Sequence, residues 1–457
     1  MAPPVSIGGS RWIAAVWAVL CGAAYTTLAL VRFKTFEPTS YDNAIFEQAI
    51  RGYAHLQAPI VPIKGPVFNL LGDHFSPIIA LVAPAYRLFP AAQTLLVAQA
   101  VLIAVSVYVV TSLGLRRLGL WAGGGVAVAY GLSFGLQSAV TSNFHEVAFG
   151  APLLALAGAA YVERSFGRVV AWSLPLLLVK EDLGLTVALI GLALWLVGER
   201  RPGGGSGPRA EKRYGGGLAL AGGVGFLLVL LVVIPAFNPE GAYAYTGNVG
   251  GDRGLLATLL DDAGRKALTV VMTFAVGGFA ALASPWALLV LPTFAWRFAG
   301  DNAFYWGTGF HYSILLMVIV AVAAIDTMDR HPPLRWAAVV AVVFTAAMLV
   351  SSPLASLADP DTYDPPARAD AAQRVLDLVP EGASVDTDIG LMTHLVTDHD
   401  VTWIGTPGNA TPDWVLLDIG SGFCSPPDAV AYAEERYDVP FTMVEDVDGY
   451  QLARRDG

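Results

Sequence analysis

The sequence predicts an α-helical polytopic membrane protein of about 11 spans followed by a small α/β domain outside the membrane. Three observations carry that reading: an apolar excess, a succession of long hydrophobic runs, and an abrupt change of composition after residue 352. Of the 457 residues, 55% are hydrophobic before the 48 glycines are counted, and only 14% are charged. Soluble domains carry about 45–50% apolar residues with glycine included, and about 25% charged. The surplus needs a bilayer to bury it, which excludes a soluble cytoplasmic enzyme, a disordered scaffold and a nucleic-acid binder. The net charge of −10 hides an asymmetry, since residues 353–457 hold 20 Asp and Glu against 5 Arg. The first 352 residues hold 17 acids and 22 bases. The proline-bearing stretch PLASLADPDTYDPP, residues 353–366, therefore reads as a linker between a membrane domain, 1–352, and an acidic domain, 367–457.

The hydrophobic runs fall at 12–31, 91–113, 121–138, 147–162, 169–179, 183–198, 216–236, 267–281, 284–299, 310–325 and 335–352. A span needs roughly 20 apolar residues, so the shorter runs read as short or broken helices. The first run has no small-x-small cleavage site with a soluble domain behind it, and reads as an anchor rather than a signal peptide. SPIIALVAPAYRLFP, 76–90, is too short and proline-rich to cross and reads as re-entrant or interfacial. Short basic loops carry Arg11, Arg116–Arg117, Arg164–Arg168, Arg200–Arg213 and Arg330–Arg335. Placing all of them in the cytoplasm of a bacterial cell puts the N-terminus inside, and the loops 32–75 and 238–266 and the tail outside the cytoplasmic membrane. PGGGSGP, 202–208, reads as a cytoplasmic linker, because no Lys-Ser/Thr pair follows it to make a phosphate loop. Cys21 and Cys424 are too far apart, in unlike surroundings, to form a disulfide framework or a metal cluster. In the tail, DAAQRVLDLV and DAVAYAEERY have helical period, and ASVDTD, VTWIG and DWVLLD read as strands. FTMVEDVDGYQLARR reads as a hairpin about Asp448-Gly449.

The polar residues of the membrane part gather in clusters that share the outer side. In SYDNAIFEQAIRGY, 40–53, helical spacing places Asp42, Ile45, Phe46, Ala49, Ile50 and Tyr53 on one face. Asn43, Glu47, Gln48 and Arg51 face away, so Asp42 turns toward protein or membrane rather than bulk water. A first-turn carboxylate also favours the helix dipole without any further role. GDHFSP brings Asp73 and His74, and NFHEVAF brings His145 and Glu146 to the mouth of a span. The latter is no zinc-protease motif, because Phe149 stands where the second histidine would be. VKEDLG sets Lys180, Glu181 and Asp182 in a tight outer turn between short apolar runs, where burial of three charges favours a functional role. WRFAGDNAFYWGTGFHYS adds Arg297, Asp301 and His311 around an aromatic loop that also suits an interfacial belt. Gly131-Leu132-Ser133-Phe134-Gly135 matches G-x-S-x-G, but it lies in an apolar helix, where small residues serve packing.

The ordered set SYDNAIFEQAI, GDHFSPIIALVAPAYRLFP, NFHEVAF, LVKEDLGL, GFHYS and ASVDTDIGLMTHL…PDWVLLD resembles the prokaryotic multi-span membrane family called domain of unknown function 2079. The resemblance runs from about 38 to 420. That family is similar to the C-type glycosyltransferases (GT-C), which take sugars from lipid-phosphate donors. The resemblance implies that Asp42, in the first outer loop, occupies their catalytic acidic position. The paired acidic motif of those enzymes is replaced here by Asp42-Asn43.

Transfer from a polyprenyl phosphate to a glycan or lipid acceptor needs a base, cations for the phosphate and a lateral opening for the lipid. A carboxylate in a partly dry pocket supplies the base. Lys180, His145 and His311, with His74 and Arg297, supply positive charge for phosphate. Glu47, Asp73, Glu146, Glu181 and Asp182 are supporting acids, and Asp42, Glu181 and Asp182 have the oxygen chemistry for Mg²⁺ or Mn²⁺. No nucleotide loop is visible, which favours a membrane-borne donor. The competing readings are a transporter or flippase, which should carry polar residues in mid-span, and an envelope assembly protein whose tail binds a partner.

Overall fold

The computed structural model describes residues 7–37, 41–199, 207–421 and 425–456; Cys424 and most of the PGGGSGP segment lie outside them. Among the described residues, five helical segments are long and apolar enough to cross a bilayer: Gly8–Lys34, Ala92–Thr141, Ala210–Phe237, His311–Arg330 and Pro332–Leu349. Shorter apolar helices occupy Pro77–Leu88, Glu146–Val162, Phe166–Leu178 and Leu183–Leu196. The runs at 267–281 and 284–299 are cut into short pieces, where the chain turns at Gly278 (φ 57°) and re-enters at Pro285. The segment 76–90 forms a 3-10 turn, Pro77–Val82, and a short helix, Ala83–Leu88, in keeping with its prolines.

The first helix, α1 (Ile7–Lys34), leads into α2 (Tyr41–Ala54). α1 lies along α3 (Ala92–Gly131), with the Trp17 indole donating to the Ala127 carbonyl at 3.0 Å and the Tyr25 hydroxyl to the Gly131 carbonyl at 2.7 Å. α3 is two helices joined at Gly119, whose φ of 80° is open to glycine. The chain doubles back there, and a Cβ on Gly123 would run into the Gly114 carbonyl. α4 (Leu183–Glu199) and α5 (Gly207–Leu228) form a second close pair. A Cβ on Gly191 would stand 2.5 Å from the Gly215 carbonyl oxygen, and Gly184 and Gly222 meet in the same way, so glycine sets the helix separation. α6 (Ile314–Arg330) is the axis of the bundle: 94% of its most apolar window is buried, and it is apolar all round, as a central helix must be. Ser133 is buried in the break between α3 and Phe134–Thr141, with no strand near it. Gly131 packs on Trp17 and Cys21, and Gly135 on Met317 and Ser313, so G-x-S-x-G here is a packing feature.

The tail carries a five-stranded sheet in the order β2-β1-β3-β5-β4, from β1 (Ser384–Thr387), β2 (Asp400–Trp403), β3 (Trp414–Asp418), β4 (Phe441–Val447) and β5 (Tyr450–Arg455). β1 pairs in parallel with β2 and β3, and β5 is antiparallel to β3 and β4. Helices Ala369–Leu378 and Ala429–Tyr437 stand where helical period placed them. The β4–β5 turn has positive φ at both Asp448 and Gly449, the backbone that this dipeptide favours.

The sheet domain docks on α2, and this corrects the expectation that one face of α2 meets water. Asn43 donates to Thr393 Oγ1 at 2.8 Å, Gln48 to the Val401 carbonyl at 2.8 Å, and Arg51 to the Val396 carbonyl at 3.0 Å. Thr397 donates to Glu47 at 2.7 Å, and the His394 ring lies 4.2 Å from that of Phe33. The polar face of α2 is buried under the tail, and the apolar face under the helices.

Candidate functional site

At the end of the bundle where α1 gives way to α2, four separate loops bring acids and cations together. Asp42 comes from the first turn of α2. Its carboxylate accepts a contact from His145 Nε2 at 3.2 Å, while His145 Nδ1 lies 3.2 Å from the Asn143 carbonyl. The backbone of this segment is set by Asn143, in the left-handed region (φ 66°), and by Gln99. Gln99 accepts from the His145 amide at 2.9 Å and donates to the Ala139 and Asn143 carbonyls. His311, from the loop before α6, stacks on His145 with ring centroids 3.5 Å apart. Next to His145, buried Glu146 accepts from Lys180 Nζ at 2.8 Å. Lys180 and Asp182 share a narrow slot with His311 and Tyr312.

A second string of contacts adjoins the first. His74 Nδ1 lies 3.2 Å from Glu181 Oε1 and its Nε2 lies 3.8 Å from Asp73, which also binds Lys64. Tyr243 donates to Glu181 at 3.1 Å, and Tyr245 contacts His74 Nε2 at 3.3 Å. Lys64, Tyr243, Tyr245 and Gln99 escaped sequence reasoning. Lys64 sits alone between prolines, the two tyrosines stand in the 238–266 loop apart from any of the charged motifs, and Gln99 lies inside an apolar run.

Burial would raise the Asp42 carboxyl, but the His145 hydrogen bond and the charges of His145, His74 and Lys180 outweigh it and hold it below the ordinary carboxylate range. The side chain nevertheless keeps 56% of its surface open, which corrects the expectation that Asp42 turns away from bulk water: it holds His145 on one side and meets solvent on the other. Burial also opposes the charge of Lys180. Glu146, Glu181 and Asp182 overcome it and hold Lys180 protonated well above its usual range. Asp182 moves the other way: burial, with Glu181 and Glu146 beside it, pushes it up to about 6 against the pull of Lys180. Glu181 Oε2, Asp182 Oδ1 and His311 Nδ1 are buried without a hydrogen-bond partner among the described residues. Unmatched buried polar atoms of this kind are costly to a fold.

Two expected site residues lie elsewhere. Arg297 is fully buried and donates to the carbonyls of Tyr305 (2.7 Å) and Gly307 and to Ser313 Oγ (3.3 Å). Its guanidinium staples the aromatic loop instead of reaching Lys180. Glu47 accepts from Tyr86 (2.9 Å) and Thr397 in the α2–tail interface. Burial is the main cause that lifts its carboxyl to about 7, against hydrogen bonds from Thr397 and Tyr86. The folded protein then holds a proton that the unfolded chain loses above about 4.5. Stability should therefore be greatest below that value and fall as the pH rises to about 7, by about 3 kcal/mol in all. Thermal unfolding of Glu47→Gln across this range should lose that slope; an unchanged slope would assign it to another group.

The carboxylates with the oxygen chemistry for a divalent metal are Asp42, Glu181 and Asp182. Among the described residues no three His, Cys, Asp or Glu side chains are grouped to hold one. Asp42 is committed to His145, and Glu181 to His74 and Tyr243.

The family model described as predicted membrane protein (DUF2079) matches residues 32–439. The chain belongs to this family. A comparison with curated proteins finds no match. Among solved structures, ArnT from Cupriavidus metallidurans bound to undecaprenyl phosphate aligns with a TM-score of 0.58 and 14% sequence identity. The alignment covers 96% of this chain and 97% of that one. At this identity the likeness is one of fold, and it extends through the DUF2079 helices into the tail.

Proposed function

We propose that this protein transfers a sugar from a polyprenyl-phosphate donor to a hydroxyl of a glycan or lipid acceptor at the outer face of the bacterial cytoplasmic membrane. The observation that carries this reading is the meeting, at one end of a membrane fold, of an accessible carboxylate and a largely buried lysine that its acidic neighbours hold protonated. A fold like that of a protein bound to undecaprenyl phosphate supports the donor class. In this reading the acceptor hydroxyl gives its proton to Asp42 as its oxygen attacks the anomeric carbon. The bond from that carbon to the phosphate oxygen breaks, and the phosphate departs with the bonding electrons toward Lys180. His145 orients Asp42, and His311 and His74 complete the polar wall. Because Asp42 is held below the ordinary range, it stays ionised at neutral pH but is a weak base. Proton transfer then runs late, as the anomeric bond opens and the acceptor oxygen becomes acidic. Phosphate stabilisation by fixed charge in a dry site supplies the rest.

The reading assigns about 11 crossings, with the basic loops inside and the tail outside. Reporter fusions after Asp359 and at Gly204 test the orientation: the first should be active only outside the cytoplasm and the second only within it. A tail fusion active in the cytoplasm would overturn the assignment of the polar cluster to the outer face. The function itself is tested in a deletion strain. Lipid-phosphate-linked sugar should accumulate and one envelope glycan or glycolipid should lose a residue, both restored by the gene. A strain with an unchanged glycan profile, whose membranes lack only an uptake or flipping activity, would favour the transporter instead.

A further inference from the structure

A second ionic cluster lies at the opposite end of the bundle from Asp42. Arg11 stands near the start of α1, whose other end leads to α2. At 1.5 Å per residue, Arg11 is about 35 Å along the helix from Lys34. Beside it are Arg116, ahead of the Gly119 turn, and Arg168, from the helix Phe166–Ser173, with Glu163 between them. Arg116 reaches one oxygen of Glu163 at 2.7 Å, and Arg168 reaches the other at 3.2 Å. Arg116 also donates to Ser112 Oγ at 2.5 Å, and Arg168 to Ser165 Oγ at 2.7 Å. Three guanidiniums thus line one cleft with a single carboxylate, which Arg116 and Arg168 share, leaving an excess of two positive charges. Arg11 is exposed and makes no hydrogen bond or ion pair among the described residues, and Arg168 is 60% exposed.

The cleft encloses about 470 Å³, within the range of about 300–1,000 Å³ usual for small-ligand sites. Beneath the guanidiniums its walls are apolar, from Val109, Leu156, Ala159 and Ala160, with Trp172 at the rim. A soluble anion would match the rim and leave the apolar wall wet. A neutral lipid would match the wall and leave the charge excess unmet. We propose that this cleft binds an anionic membrane phospholipid, its phosphate headgroup between Arg11 and Arg168 and its acyl chain along Leu156 and Ala160. Arg116, already tied to Glu163 and Ser112, braces the rim. Basic side chains at a membrane surface gain from anionic lipid in this way, and guanidiniums suit phosphate oxygens through paired N–H donors. The site is separate from the proposed donor site and does not depend on it.

The test is native mass spectrometry of the full chain in detergent, titrated with dioleoyl phosphatidylglycerol, with dioleoyl phosphatidylcholine, and with inorganic phosphate as competitor. One phosphatidylglycerol per chain should be retained in preference to phosphatidylcholine. Arg11→Ala with Arg168→Ala should weaken that retention about 30-fold, as expected for two surface arginines. The double Lys variant should keep most of it, and both variants leave the Arg116–Glu163 pair intact. Equal retention of both lipids, undiminished binding in the double Ala variant, or displacement of the lipid by equimolar inorganic phosphate would each overturn the proposal, the last by assigning the site to free phosphate.

Discussion

Asp42→Asn should lower sugar transfer by about 10²–10⁴ at matched membrane expression, the usual worth of general-base assistance. The substitution keeps the shape of the side chain and a polar partner for His145, so the α2–tail contacts through Asn43, Gln48 and Arg51 should survive. A purely structural Asp42, acting as a first-turn charge, would cost about 0.3–1 kcal/mol of stability and leave transfer nearly intact. The measurement is transfer of labelled sugar from a polyprenyl phosphate, paired with thermal unfolding of the same preparations. The depressed ionisation of Asp42 adds a second expectation: wild-type transfer should show no loss attributable to Asp42 between neutral pH and the ordinary carboxylate range. Near-normal transfer by Asp42→Asn would move the base to Asp182. Glu146 and Glu181 are already ion-paired with Lys180 and His74, whereas Asp182 is lifted to about 6.

Lys180→Ala should be the more damaging change, because two losses coincide. Removing one preorganised cation from a developing phosphate charge is worth about 10²–10³ in rate. Removing one member of a buried ion pair also leaves Glu146 charged and unmatched, at a cost of about 3–5 kcal/mol. The two effects separate in the double variant Lys180→Met with Glu146→Gln, which replaces the ion pair by a neutral pair of similar volume. Folding should return, and transfer should not. Lys180→Arg should keep more activity than either, since it preserves the charge, although its planar fork will not reproduce the Lys geometry. Recovery of transfer in the neutral double variant would show that Lys180 only balances Glu146, and would withdraw the phosphate role.

Some of this was legible in one dimension because it depends on local periodicity. Apolar runs must enter a bilayer wherever they occur, and a period of 3.6 or 2 must become helix or strand. The strands Ser384–Thr387, Asp400–Trp403 and Trp414–Asp418 and the Asp448-Gly449 hairpin are of this kind. So is the grouping of Asp42, His74, His145, Lys180 and His311 at one end, because each lies next to the end of an apolar run. Partners were another matter. Glu47 and Asp73 are both acids in the loop 32–75, yet Glu47 meets Thr397 of the tail and Tyr86, while Asp73 meets Lys64 and His74. Arg297 and Lys180 are both cations near the aromatic loop, yet backbone carbonyls claim the first and Glu146 the second. Such pairings are fixed by contacts between residues as many as 353 positions apart, as in Gln48 with Val401. Hydropathy and helical phase say which way a side chain turns from its own helix, but the polar face of α2 could be read as facing water until the sheet domain was seen to cover it. Burial, which shifts Glu47 and Asp182 upward and keeps Lys180 charged only through its neighbours, is a property of that covering and not of the segments themselves.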